Sequence, residues 1–258
     1  MLAVLRRESA GRRPATRALA ILADPVFETT DPRVASKTAP PAVPTNDIAT
    51  ASRALEVADG LYARIPLSRL PFSRDEARAI AALTESNDNM LAVDFKASRA
   101  AVLGGALSGY RMVHLATHGV LDGERPALSS LILSLVDERG RRQNGYLRLP
   151  DIYNMRLDAD LVVLSACQTA LGKEIQGEGL VGLTRAFIYA GAPRVVASLW
   201  QVSDLATAEL MKKFYRGMLR QHLPAAAALR AAQVEMSQDP RWSSPFFWAG
   251  FVLQGEWR

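Results

Sequence analysis

Two stretches decide the fold: Arg111-Met-Val-His-Leu-Ala-Thr-His-Gly119 and Leu161-Val-Val-Leu-Ser-Ala-Cys-Gln168. Each is a short apolar run that ends in small polar residues. That is the pattern of a central parallel strand, buried on both faces and stopping at a loop. Working outward, Ala18–Ala23 is a third such run, stopped by Asp24-Pro25, and Arg194–Leu199 a fourth. Helical spacing fills the intervals at 73–84, 97–107, 179–189, 204–220 and 224–237. The first of these opens on Ser73 with Glu76 three residues later, a capping box. The 179–189 pattern stops at Gly191 with Pro193 beyond it. Leu131–Val136 and Gly145–Leu149 flank a polar turn and read as a hairpin, and Phe246–Leu253 as a terminal strand. Strands alternating with helices predict an α/β fold around a mostly parallel sheet.

In such sheets ligands bind outside the carboxyl ends of the strands. Asp24, His118, Cys167 and Asp204 all follow strand runs, so the topology predicts one crevice for four reactive side chains. Each has a bland reading as well. A lone cysteine beside a buried strand is usually a core thiol. His118 fits a satisfied structural histidine, Gly119 a turn, Asp24 an Asp-Pro turn and Asp204 a helix N-cap. Jointly they acquire chemistry. A thiol with a free pKa near 8.5 needs a base to form thiolate at neutral pH. A histidine supplies that base and can later protonate a leaving amine. Backbone N–H groups at Gly119 and Cys167 could face an oxyanion. His114 lies inside its strand and reads as core or as support for the site. His222 follows a basic helix end and reads as its C-terminal partner.

Composition narrows the classes. The 258 residues are 49% hydrophobic and 22% charged, which excludes disordered and fibrous chains. No apolar run approaches the roughly 18 residues of a membrane span. The net charge of +5 is concentrated in the first 20 residues, where Arg6, Arg7, Arg12, Arg13 and Arg17 face Glu8 alone. Residues 1–17 therefore read as a basic arm on a nearly neutral domain spanning 18–258. The arm lacks the aromatic interleaving of a base-stacking surface, so nucleic acid is not expected to contact this domain. Residues 28–50, with Pro40-Pro41 and Pro44, fit no period and read as a flexible insertion. Cys167 is the single cysteine. No intrachain disulfide can form, which fits a reducing, cytoplasmic setting.

One competing motif is Gly177-Glu178-Gly179-Leu180-Val181-Gly182, a literal G-x-G-x-x-G ahead of a helix. It would make the chain a nucleotide-binding domain. The first glycine should follow its strand almost at once, yet Lys173, Glu174 and others intervene after Ser165.

The ordered set His114-Leu-Ala-Thr-His-Gly119, Leu164-Ser-Ala-Cys-Gln-Thr-Ala170, Gly177-Glu-Gly-Leu180, Gly191-Ala-Pro193 and Ser198-Leu-Trp-Gln-Val-Ser-Asp204 resembles the CHAT domain. CHAT domains are related to caspases, separases, metacaspases and gingipains. The likeness runs from about Arg17 to Gly255. It implies a caspase-like three-layer α/β/α sandwich and a cysteine endopeptidase with Cys167 as nucleophile and His118 as its histidine. The 49-residue separation of the two is also close to the caspase spacing of about 50. It implies that Asp204, with Asp24 as a second acid, lines a pocket for Arg or Lys before the scissile bond. No metal or other cofactor is implied. The partners implied are a protein or peptide substrate and a regulatory protein that activates the domain. The helical repeats that commonly precede a CHAT domain are missing. The chain is therefore expected to be the C-terminal part of a longer protein, or a domain that relies on a separate regulator. A silent signalling module on the same fold is the alternative.

Overall fold

The computed structural model describes residues 14–34, 67–84, 89–122, 125–165, 167–171 and 178–257. The basic arm up to residue 13, most of the expected insertion at 28–50, and Gly177 of the glycine motif lie outside the described residues. A six-stranded sheet forms the centre. Its order is β10-β9-β7-β3-β1-β2, with β1 Arg17–Ala23, β2 Met90–Val93, β3 Tyr110–Ala116, β7 Leu161–Leu164, β9 Arg194–Ser198 and β10 Phe251–Gly255. All neighbours run parallel except β10, which lies antiparallel to β9. Four expected strands thus stand at the centre, and the terminal strand starts later than expected, at Phe251, and runs on to Gly255. Residues 245–247 form a single 3-10 turn instead.

Helices cover both faces. On one side α1 Pro71–Ala81, α5 Asp204–Arg220 and α6 Ala225–Gln238 bury Ile80, Leu210, Phe214, Tyr215 and Met236 against Leu19, Ile21 and Val163. On the other, α2 Arg99–Leu103, α3 Leu149–Tyr153 and α4 Glu178–Tyr189 bury Val102, Ile152 and Phe187 against Ala20, Leu22, Val113 and Leu115. The period-2 alternation of each strand distributes its residues between these two cores. The α4 stop is as expected. Gly191 has φ +118, and a Cβ there would meet the Leu157 carbonyl oxygen at 2.4 Å, so only glycine fits.

The expected capping box is not formed. Leu70 occupies the N-cap of α1, and Pro71 opens the helix with a ring already set for helical φ. Ser73 and Glu76 both lie inside the helix and are buried, and their polar atoms serve tertiary partners instead.

A second sheet, order β6-β5-β4-β8, was not expected as a unit. It holds β4 His118–Asp122, β5 Ser130–Ile132, β6 Tyr146–Arg148 and β8 Cys167–Leu171. The expected hairpin is its β5–β6 pair. β3 passes into β4 through Thr117 alone, and β7 into β8 across Ser165 and Ala166. The parallel pairing of β3 with β7 therefore resumes, after a bend, as parallel pairing of β4 with β8. His118 and Cys167 are the first residues of these continuations, rather than loop residues past a strand end.

Candidate active site

The chain runs from β1 outward to β2, then returns to β3 on the other side of β1. The crevice at the carboxyl ends of β1 and β3 is thus the point where strand order reverses, the usual ligand position in an open α/β sheet. Asp24 ends β1 on that rim and His118 follows β3. Across β4–β8 the register pairs His118 directly with Cys167. Neighbouring strands lie about 4.8 Å apart, so the backbone alone holds these two residues side by side.

The His118 ring is buried against Phe27, with ring centroids 5.1 Å apart. Its Nε2 donates to the Ser68 carbonyl oxygen at 2.7 Å. That bond fixes the proton on Nε2 and leaves Nδ1 as the basic atom. Burial pulls the His118 pKa below its ordinary value, and the Ser68 carbonyl works in the opposite sense. The ring is therefore a neutral base at neutral pH. Gly119 is an interior position of β4, in register with Leu131 on one side and Gln168 on the other.

Asp24 is fully buried and sits at φ +46, a left-handed conformation that Asp tolerates better than most residues. Its N–H donates to Ser73 Oγ at 3.0 Å, and Ser73 in turn donates to the Leu70 carbonyl. Three arginines meet its carboxylate. Arg69 grips it through two bonds, Nε to Oδ1 at 3.0 Å and Nη2 to Oδ2 at 2.8 Å. Arg74 Nε lies 2.8 Å from Oδ2, and Arg33 Nη1 3.0 Å from Oδ1. Arg33 and Arg74 also bond Asp94, and Arg33 bonds Asp31.

Asp204 is the first residue of α5, with Ser203 as its N-cap. Its Oδ2 accepts from the Phe72 N–H at 3.0 Å, so it caps the start of α1 rather than its own helix. Burial pushes its pKa up to about 6, and the nearby Glu76, Asp24 and Asp75 charges add to this while the Phe72 N–H opposes it. Because the folded carboxyl keeps its proton to higher pH than an unfolded one at 3.8, this group favours folding at low pH. The advantage is lost as pH rises from 3.8 to about 6. Asp204→Asn is expected to gain stability over the wild type across that interval. Urea melts on either side of it check this, and a constant difference between the two proteins would contradict it.

Sequence reasoning missed the segment Ser68–Phe72. It touches His118 through the Ser68 carbonyl, Asp24 through Arg69 and Asp204 through the Phe72 N–H. Two of these contacts use backbone atoms, which leave no trace in side-chain patterns. A cleft of about 230 Å³ beside it is lined by Phe27, Glu28, Asp31, Leu67, Ser68 and Arg69. A larger cavity of about 460 Å³, with Val102, Asp151 and Met155 in its wall, contains none of these residues.

His114 lies in β3, fully buried. Its Nε2 is 2.9 Å from Glu76 Oε1, off the line of a hydrogen bond, and its Nδ1 is 3.2 Å from the Tyr215 hydroxyl. Ser165 Oγ donates to the same Glu76 oxygen at 2.8 Å, two residues before Cys167. The histidine expected to be core or support thus anchors a polar cluster beneath the site. Among the described residues no group of three or more His, Cys, Asp or Glu side chains could hold a metal. No helix among them is long and apolar enough to cross a membrane.

Comparison with known proteins bears on this arrangement. The chain is 40% identical over 109 residues to tetratricopeptide repeat protein 28 of Mus musculus, and 38% identical over 109 residues to its Homo sapiens counterpart. Each match covers 42% of this chain and 4% of the relative, so the chain spans a small fraction of the curated relatives it matches. The crystal structure of the Arg-specific cysteine proteinase gingipain R superposes with a TM-score of 0.50 at 9% identity. That superposition covers 99% of this chain and 51% of the proteinase, a likeness of fold. The CHAT domain profile matches residues 2–256. With its caspase-like mixed α/β architecture and a match over nearly its whole length, the chain belongs to the CHAT domain family.

Proposed function

We propose that this chain is a cysteine endopeptidase that hydrolyses protein substrates after Arg or Lys. The observation that carries the reading is the β4–β8 register, which pairs His118 with Cys167 while the Ser68 carbonyl holds the His118 Nε2 proton. His118 Nδ1 takes the Cys167 proton, and the sulfur attacks the substrate carbonyl carbon. The N–H of Cys167, at the start of the edge strand β8, receives the charge that develops on the carbonyl oxygen, whereas the Gly119 N–H lies between two paired strands. The proton passes from His118 to the leaving amine, the C–N bond breaks, and an acyl-enzyme remains. Water, deprotonated by His118, then releases the acid and restores the thiol. Asp24 and Asp204 give the crevice its negative side chains, and a carboxylate pairs well with a guanidinium. A protein partner that regulates access to the crevice belongs to this reading. A silent interaction module on the same fold is the second reading, favoured by one observation: Asp24 is already bound by arginines of its own chain.

The test is covalent labelling with an arginine acyloxymethyl ketone. Mass added at Cys167 in the wild type and absent in Cys167→Ala is the expected result. Failure to label the wild type, together with a thiol that titrates near 8.5, would favour the silent module.

A further inference from the structure

We propose that the Asp24 pocket is a guanidinium site and that the side chain of Arg69 is its resident plug, which a substrate arginine must displace. The proposal rests on reading the crevice as a peptide site and adds how that site is kept closed.

The three arginines on Asp24 are not equivalent. Arg33 bonds Asp24, Asp31 and Asp94, and Arg74 bonds Asp24 and Asp94. Their side chains are 15% and 20% exposed. Each ties several carboxylates together and is part of the frame. Among the described residues Arg69 pairs with Asp24 alone, and its side chain is 39% exposed. It leaves from a short non-helical stretch between Leu67 and Leu70 and forms part of the wall of the 230 Å³ cleft. One side of it is thus open to solvent, the other seated on a buried carboxylate.

The charges agree. Arg33, Arg69 and Arg74 stand against Asp24, Asp31 and Asp94, three on three. Rotating Arg69 out to water leaves the frame one positive charge short. The vacated edge of Asp24 is the edge that a planar guanidinium bonds through two parallel N–H groups. Withdrawal does not strand a bare buried charge, because Arg33 and Arg74 remain on both oxygens. The exchange therefore replaces one guanidinium by another at little electrostatic cost. Only the side chain needs to move. The adjacent Ser68 carbonyl keeps its bond to His118 Nε2, so the base stays oriented while the pocket opens. The pocket also lies one residue along the chain from the group that orients the base.

The test uses the full chain with Cys167→Ala, so that binding is read without turnover, and benzamidine as the probe. Removing an internal competitor raises apparent affinity by the factor it had suppressed. Calorimetry is expected to give about tenfold tighter benzamidine binding after Arg69→Ala. Arg69→Lys, which keeps a cation in the pocket, is expected to retain the weak binding. Neutral benzamide is expected to bind both proteins alike. Equal benzamidine affinity with and without Arg69, in variants whose melts show them folded, would overturn the plug. Labelling of Cys167 by the arginine ketone in the single Arg69→Ala variant separates the two readings. Tighter benzamidine binding without labelling keeps the plug and removes the peptidase. Labelling equal in wild type and variant, with no gain in benzamidine binding, does the reverse. An aspartyl ketone that labels the wild type but not Arg69→Ala would make Arg69 a substrate-binding cation and overturn the plug.

Discussion

Replacing His118 by alanine is expected to slow hydrolysis of an arginyl peptide by about 10²–10⁴-fold, the range for loss of a positioned acid–base group. The loss should fall on kcat more than on KM, because in the proposed mechanism the imidazole moves protons and does not hold the peptide. Two further signatures separate this from a misfolded protein. The Cys167 thiol should titrate near its free value of about 8.5 in the variant, since its base is gone. In the wild type the acid limb of the rate profile should lie below 6.5, because burial in contact with Phe27 pulls the His118 pKa down from that ordinary value. The sign follows from the neutral ring being the working form. A lowered pKa extends that form to more acidic solution. A pH–rate profile and an alkylation titration on the two proteins decide the matter. A variant that keeps both its rate and its thiol titration would remove His118 from the mechanism.

Glu76→Ala is expected to be the most destabilising single change at the site, by about 2–5 kcal/mol, the cost of leaving buried polar groups without a partner together with that of the void. Glu76 is 1% exposed and His114 is fully buried. The Glu76 side chain accepts from Ser165 and lies 2.9 Å from His114, so alanine would leave the Ser165 hydroxyl without its acceptor, remove the polar neighbour of His114 and open a void. A domain of this size has about 5–15 kcal/mol in total, so the variant should melt at the edge of folding at room temperature. Glu76→Gln keeps an oxygen for Ser165 and should cost markedly less. Urea melts of the two variants check the order. Equal stability of Glu76→Ala and wild type would show that the cluster contributes nothing.

Glu76 also illustrates what sequence could and could not reveal. Its position three residues after Ser73 matches a capping box, and local pattern alone reads it so. In the structure Pro71 starts the helix earlier, and Glu76 faces the buried core, where it accepts from Ser165 and lies beside His114. The central strands were legible because their burial on both faces leaves an uninterrupted apolar signature, as in Leu161–Leu164. His-Gly-Val-Leu-Asp and Cys-Gln-Thr-Ala-Leu carry no such signature. They become strands through pairing with each other and with the hairpin, a tertiary effect. His118, Cys167, Asp24 and Asp204 could be singled out because each follows an apolar run. Arg69 and Ser68 could not, because nothing in a single sequence links residue 68 to residue 118.

The bend at Thr117 gives the molecule two platforms, to which the proposed function assigns separate duties. The His118–Cys167 pair stands on the four-stranded sheet, whereas Asp24 and Asp204 hang from the six-stranded sheet and its helices. On the proposed reading, the chemistry and the recognition of the ligand are thus mounted on different parts of the frame. Under that function, changes confined to the β1–α1 junction would retune which side chain is accepted and leave the His118–Cys167 pair in register. Such an arrangement lets a lineage diversify its targets without rebuilding its reaction.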